Sequence, residues 1–268
     1  MTIDIHAHLT VDLPAQLARA RVAGVTRTVL LPSSVHPEAA TTNTELRAEF
    51  ARVTTVISGG PLPEERFRNA IADLLRAVAE HPAETIAFVS VPLHLEAGRI
   101  REWVADHLTR PGVAGIGELT PAPGRAAAIE PVLAAVAEHG GVPVLTHGFA
   151  PNTIDDLRTY RELAERYPSV PLIVGALGGL HALDLVDLAE DRPNLYLDLS
   201  SALQTFAVRA AARTVPEQCL FGSNTPYGDV VAARHTVEAA VSDPGVRRLV
   251  FEENAARLLS RRGVLDGV

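Results

Sequence analysis

The sequence contains no lysine; all 24 of its Lys+Arg residues are arginine. That excludes Schiff-base chemistry on a lysine, lysine-anchored pyridoxal phosphate and a carboxylated-lysine metal bridge. Cysteine occurs once, so no intrachain disulfide can form, and Cys219 in the apolar run QCLFG reads as a core strand residue. Tryptophan also occurs once, and Trp103 shares helical spacing with Ile100 and Val104, which assigns it to a core. No apolar run reaches membrane-spanning length and no basic-plus-apolar leader precedes the first motif, so the chain reads as cytoplasmic with no membrane partner. Cations are outnumbered: the formal charge is −8, which argues against a general binder of phosphate backbones, and no nucleic acid is expected.

What the sequence does have is apolar bulk. With 47% hydrophobic and 21% charged residues over 268 positions, it can bury one large core, and 1–268 reads as a single domain. Eight short runs read as strands: 2–6, 27–31, 86–91, 113–118, 142–147, 171–175, 195–199 and 218–222. Each is near-continuously apolar rather than alternating, as strands covered on both faces are. Helical spacing fills the gaps. It is clearest in 65–81 (Phe67, Ile71, Leu74, Leu75, Val78), in 126–139 ahead of Gly140-Gly141, and in 153–167, where Thr153 and Asp156 form a start signal. Eight such units in this length point to an α/β fold, a (β/α)8 TIM barrel. A doubly wound open sheet is the alternative, although no glycine-rich phosphate loop follows the first strand. The stretch 32–63, with Pro32, Pro37, Gly59-Gly60, Pro61 and Pro63, carries no assigned element and has the length of a lid.

In a barrel the chemistry gathers past the strand C-termini. His6 and His8 end the first strand with one residue between them, which at strand spacing turns both rings the same way. Glu118 ends the fourth strand, His147 ends the fifth, and Asn224 lies just beyond the eighth. Neutral imidazoles with a carboxylate suit a divalent cation; zinc is the default for a nitrogen-rich site, with manganese and iron as alternatives. Asp198 in LYLDLS faces either the barrel mouth or its own backbone and serine donors. Tyr227 is placed to line the same pocket. His81, His107, His139 and His235 fall on or near helices and read as solvated surface residues.

The motifs IDIHAH, GIGEL (115–119), PVLTHG (143–148), LGG (177–179), LYLDLS, LFGSNTP (220–226) and FEENAARLL (251–259) resemble the amidohydrolase superfamily. The similarity is to its amidohydrolase-2 branch, which includes aminocarboxymuconate-semialdehyde decarboxylase-like enzymes. The resemblance implies a distorted TIM barrel whose divalent metal serves hydrolysis or non-oxidative decarboxylation of a small molecule. It implies His6, His8 and His147 as metal ligands, and Glu118 as the counterpart of a bridging carboxylate. Two positions depart from the pattern: Ala176 stands where a histidine is usual, and Asn224 where an aspartate is usual. An amide cannot serve as the proton acceptor for water. Asn224 is still a candidate for weak ligation or for orienting a substrate through its amide oxygen, and Asp198 is a further catalytic candidate; substitutes for the missing base are His181, either a base or a capping residue on the following helix, and His94 and His36, past strands three and two, with His94 the candidate substrate contact. The leading expectation is a metal-dependent hydrolase acting at a C–N or C–O bond. A lyase or cyclase on the same scaffold, or a barrel that has lost turnover, are the alternatives, and a homo-oligomer is compatible with any of them.

Overall fold

The computed structural model describes residues 1–60 and 62–260; Pro61 and 261–268, the last part of the expected 1–268 domain, lie outside the described residues. Eight parallel strands lie in chain order: β1 (Ile3–His8), β2 (Arg27–Leu31), β3 (Thr85–Val89), β4 (Val113–Leu119), β5 (Val144–Thr146), β6 (Leu172–Val174), β7 (Leu195–Asp198) and β8 (Cys219–Leu220). The circle closes where the Ile5 amide donates to the Phe221 carbonyl at 2.9 Å and the His8 amide to Thr225 at 2.7 Å. The architecture is a TIM barrel, and every strand expected from the apolar runs is present. β5, β6 and β8 are shorter than their runs, because apolar residues continue into the buried turns beyond the ladder.

The absence of alternation in the strands has a direct cause. Ile3, Ile5, Val29, Leu31, Phe88, Leu145 and Ile173 fill the barrel interior, while Leu30, Ala87, Val89, Val144, Leu172 and Val174 pack outward against the helical ring. Both faces are dry, so both are apolar.

The helices are α1 (Leu13–Val22), α2 (Asn43–Ile57), α3 (Glu64–Glu80), α4 (Ala97–Leu108), α5 (Glu130–Glu138), α6 (Ile154–Arg166), α7 (Ala182–Ala189), α8 (Thr205–Thr214), α9 (Val230–Ala240), α10 (Pro244–Arg248) and α11 (Asn254–Leu259). α3 and α6 match their sequence signals to within a residue or two at each end, whereas 126–139 divides into a 3₁₀ turn, Ala126–Ile129, and α5. The stretch 32–63 is not structureless, because it holds the fifteen-residue helix α2. α11 sits at the opposite end of the barrel from the site: Ala255, Leu258 and Leu259 join the interior cluster and close its floor.

One irregularity in β1 matters for function. Ile3 and Ile5 point inward, so strict alternation would send His6 and His8 outward. The ladder with β2 shifts register between Asp4 and Ala7, Ala7 joins the outer cluster, and both imidazoles enter the barrel mouth. A bulge at a barrel rim that re-aims side chains is the physical reason that both rings of HxH share the mouth.

Candidate metal centre and cavity

His6, His8 and Glu118 each place a ligand atom within 4.8 Å of the others. The two imidazole Nε2 atoms are 3.4 Å apart, and His8 Nε2 is 3.7 Å from Glu118 Oε2. His6 is oriented from behind: its Nδ1–H donates to Asp198 Oδ2 at 2.7 Å, which leaves Nε2 facing the mouth. Burial pulls the His6 imidazole down, but the Asp198 carboxylate, helped by Glu118 and Asp4, outweighs it and raises the ring to about 9. His8 lacks such a partner. Burial depresses it to about 4 despite Glu118, so it is a neutral ring with a lone pair to give.

His147 stands one step back from this group. Its Nδ1–H donates to Glu118 Oε1 at 2.9 Å and its Nε2–H to the Ala150 carbonyl at 3.3 Å. Burial opposes charge on both partners, yet their mutual attraction raises His147 and holds Glu118 at about 2. The structure therefore brings together three of the four expected ligands, with the fourth engaged through both nitrogens.

Asn224 reaches the same mouth from beyond β8. Its backbone is left-handed (φ 53°), a conformation Asn tolerates better than most residues. Its Nδ2–H donates to Ser201 Oγ at 3.0 Å. Its Oδ1 is buried, makes no well-formed hydrogen bond among the described residues and lies against the His8 ring, so its remaining acceptor capacity suits an electropositive neighbour. Two imidazole nitrogens, a carboxylate and this amide oxygen fit a divalent metal.

The remaining candidates are placed differently. Asp198 is fully buried and saturated: besides His6 it accepts from the Ala176 amide at 3.0 Å, the Ser200 amide at 3.0 Å and Ser200 Oγ at 2.5 Å. It positions His6 and does not line the cavity. His181 is also outside the cavity wall, and its ring faces Asp184 at 3.7 Å as the residue preceding α7. His94 is exposed on the loop before α4 and does not line the cavity. Tyr227 does line it, edge-on to His8 with ring centres 5.3 Å apart. Ala176 begins a left-handed turn with Leu177 and the LGG glycines, and offers no ligand atom from its side chain. Away from the site, His107 corrects its surface assignment: it is buried against Trp103, ring centres 4.9 Å apart, and donates to the Trp103 carbonyl at 2.7 Å.

Sequence reasoning missed several contributors. Ser200 holds Asp198, yet a serine after a strand carries no signal of its own. Gly222 leaves the space that the His6–Asp198 pair occupies: a Cβ there would sit 2.0 Å from Asp198 Oδ1 and 3.1 Å from His6 Cβ. The other missed wall residues come from α2 and α3. They border a cavity of about 560 Å³ above the His6–His8–Glu118 group, where Phe50, Val53, Ile57, Phe67 and Arg66 face His8, Glu118, His147, Phe149 and Tyr227 across a mostly apolar space.

The barrel is similar to solved structures over its full length. A 2,6-dihydroxybenzoate decarboxylase bound to 2,6-dihydroxybenzoate shares 14% identity at a TM-score of 0.73, with 100% of both chains covered. A dihydroxybenzoic acid decarboxylase from Polaromonas, with manganese and 2-nitroresorcinol bound, shares 16% identity at a TM-score of 0.67, covering 97% of this chain and 96% of the other. The 5-carboxyvanillate decarboxylase of Sphingomonas paucimobilis shares 16% identity at a TM-score of 0.63, covering 92% and 82%. No curated protein matches the sequence significantly. The amidohydrolase-2 family model, described as amidohydrolase, matches residues 3–261. That span takes in the HxH strand, the Glu118 strand end and the segment carrying Asn224, and by it the chain belongs to the amidohydrolase-2 family.

Proposed function

We propose that this protein is a metal-dependent lyase that removes carbon dioxide, without net oxidation, from a small aromatic or unsaturated acid. One observation carries the choice over hydrolysis: among the described residues, the mouth holds no carboxylate free of another partner to accept a proton from water. Asn224 is an amide, Asp198 is bonded on every side, and Glu118 is held by His147. A positioned base is worth about 10² to 10⁴ in rate to hydrolysis, whereas decarboxylation needs none for water. The fold's similarity to three decarboxylases supports the same reading.

In the proposed reaction the bond between the carboxylate carbon and the substrate carbon breaks, its electron pair stays on the substrate, and one proton is delivered to that carbon. His6, His8 and Glu118 would hold the cation, with Asn224 Oδ1 as a further donor; manganese and zinc both suit such a set. When bound, the metal supplies a Lewis acid for substrate oxygens. The chain's own part is to hold Nε2 of His6 in place through Asp198, to keep a proton on His147 beside Glu118, and to seat a planar body between Tyr227, Phe67 and Phe149.

The test is a product assay on protein loaded with Mn²⁺ or Zn²⁺. Hydroxybenzoates and an enoic diacid are supplied beside a panel of esters and amides. Metal-dependent release of carbon dioxide is expected, with one deuteron from D2O on the carbon that carried the carboxylate. Ester or amide cleavage without carbon dioxide, increased by Asn224→Asp, would return the assignment to a hydrolase. Neither product, with no stoichiometric metal, would leave a binding barrel.

A further inference from the structure

Exposed apolar side chains gather at one place on the helical ring. Leu180 stands two residues before α7 and Leu183 is its second residue; Leu203 and Phe206 hold the same two positions at α8. Their exposures are 74%, 51%, 52% and 58%, far above those of core residues. α7 and α8 are neighbours in the ring and pack against each other, both running away from the strand C-termini, so equivalent positions lie side by side. A three-residue step keeps each pair on one helix face. Charge is absent around them: no acid and no arginine occurs in 167–183 or in 199–208. A cluster of this kind on the outside of a folded chain marks a surface that something covers.

Farther along, the two helices carry opposite charge. Asp187 and Glu190 continue the face of Leu183, and α7 holds no cation; Arg209 and Arg213 continue the face of Phe206, and α8 holds no acid. All four charges are exposed, and none makes an ion pair among the described residues. Arginines of α3, α4 and α6, by contrast, are paired with acids of this same chain.

We infer that the face formed by α7 and α8 docks a second copy of this chain. The charges select that occupant, because the face is complementary to itself. A two-fold axis lying between the helices and parallel to them sets each α7 on the other copy's α8. The leucines and phenylalanine then meet at one end, and the acids of each α7 meet the arginines of the opposite α8. Turning the second copy end over end would instead set acid on acid and arginine on arginine, so one orientation is favoured and the other penalised. An apolar centre beside complementary charge is the anatomy of a protein interface. Leu203 also borders the cavity, so the second copy would cover one edge of its mouth. The pairing does not depend on which reaction the site performs.

The experiment is sedimentation velocity on the full chain over about a hundredfold range of concentration. The wild type is expected at twice the chain mass, dissociating on dilution. Phe206→Glu should weaken association roughly thirtyfold or more, the effect of losing a central anchor. Leu183→Glu, on the other helix, should act alike, and thermal melting establishes that each variant is folded. Two charge-reversed proteins carry the sharper test: one with Asp187→Arg and Glu190→Arg, the other with Arg209→Glu and Arg213→Glu. Each alone should sediment as a monomer, because like charges then face each other. Mixed in equal amounts, the two should recover a dimer with one copy of each, a result that misfolding could not produce. A wild type that stays monomeric throughout the range overturns the assignment. So does a dimer indifferent to Phe206→Glu, Leu183→Glu and both charge reversals, or a mixture of the reversed proteins that stays monomeric.

Discussion

At the scale of single residues, the site is a small set of polar groups each made usable by a neighbour. His6 presents Nε2 because Asp198 takes its Nδ1–H, Asp198 stays put because Ser200 and the Ala176 amide hold it, and Gly222 lets the pair sit where a side chain would otherwise be. Outer partners of metal-binding histidines set ring tautomer and direction. Asp198→Asn is therefore expected to lower metal affinity about 10- to 100-fold with the fold retained, read by competition with a chromogenic chelator. An unchanged affinity would mean that His6 needs no such support. The parts legible in the sequence were those tied to strand ends: His6, His8, Glu118, His147 and Asn224 all fall where the barrel rule puts chemistry. The roles of Asp198 and His147 were not legible, because each depends on which side chain from a distant strand meets it. Saturation of Asp198 by donors from β1, the turn after β6 and Ser200 is visible only in three dimensions. His181 and His94 had the right chain position past a strand, but loop course took them elsewhere.

At the scale of elements, the strands were readable because a fully buried parallel strand needs apolar residues on both faces, and this chain supplies them in eight separated runs. α2 was missed although its start was written in the sequence: Thr42 and Glu45 form a capping box, each side chain meeting the other's backbone amide. The prolines and glycines around it masked the signal, and none of its residues is fully buried, so it lacks the dense apolar stripe of α3. The start of α6 shows what such a box contributes when buried. Asp156 accepts from the Thr153 amide and hydroxyl and also from the Gly124 and Ala126 amides, tying the loop after β4 to the helix. Burial works against its charge, but these donors win and hold its carboxyl below the usual range. A depressed acid stabilises the fold fully above its unfolded pKa, near 3.8, and the contribution is lost as pH falls through the folded value. Asp156→Ala should cost about 2 kcal/mol at neutral pH. In urea melts the gap from wild type should close below about pH 4; a gap that persists in acid would assign the loss to packing instead.

At the scale of the whole molecule, a cation gathered from β1 and β4, with Asn224 beyond β8, would join the first, middle and last parts of the chain, so loading should act on global stability. Metal at a hundredfold excess over its Kd should add about 2.7 kcal/mol, or roughly 5–10 °C in Tm for a domain of this size. The His8→Ala variant should lose most of that increment. An equal rise in both proteins would place the ion at another site. The floor of the barrel bears on a different matter. Because Ala255, Leu258 and Leu259 stopper the interior from below, the eight strands cannot finish drying their shared centre on the ribosome until α11 has cleared the exit tunnel. A nascent chain stalled before it should hold its strands as an open, chaperone-binding precursor.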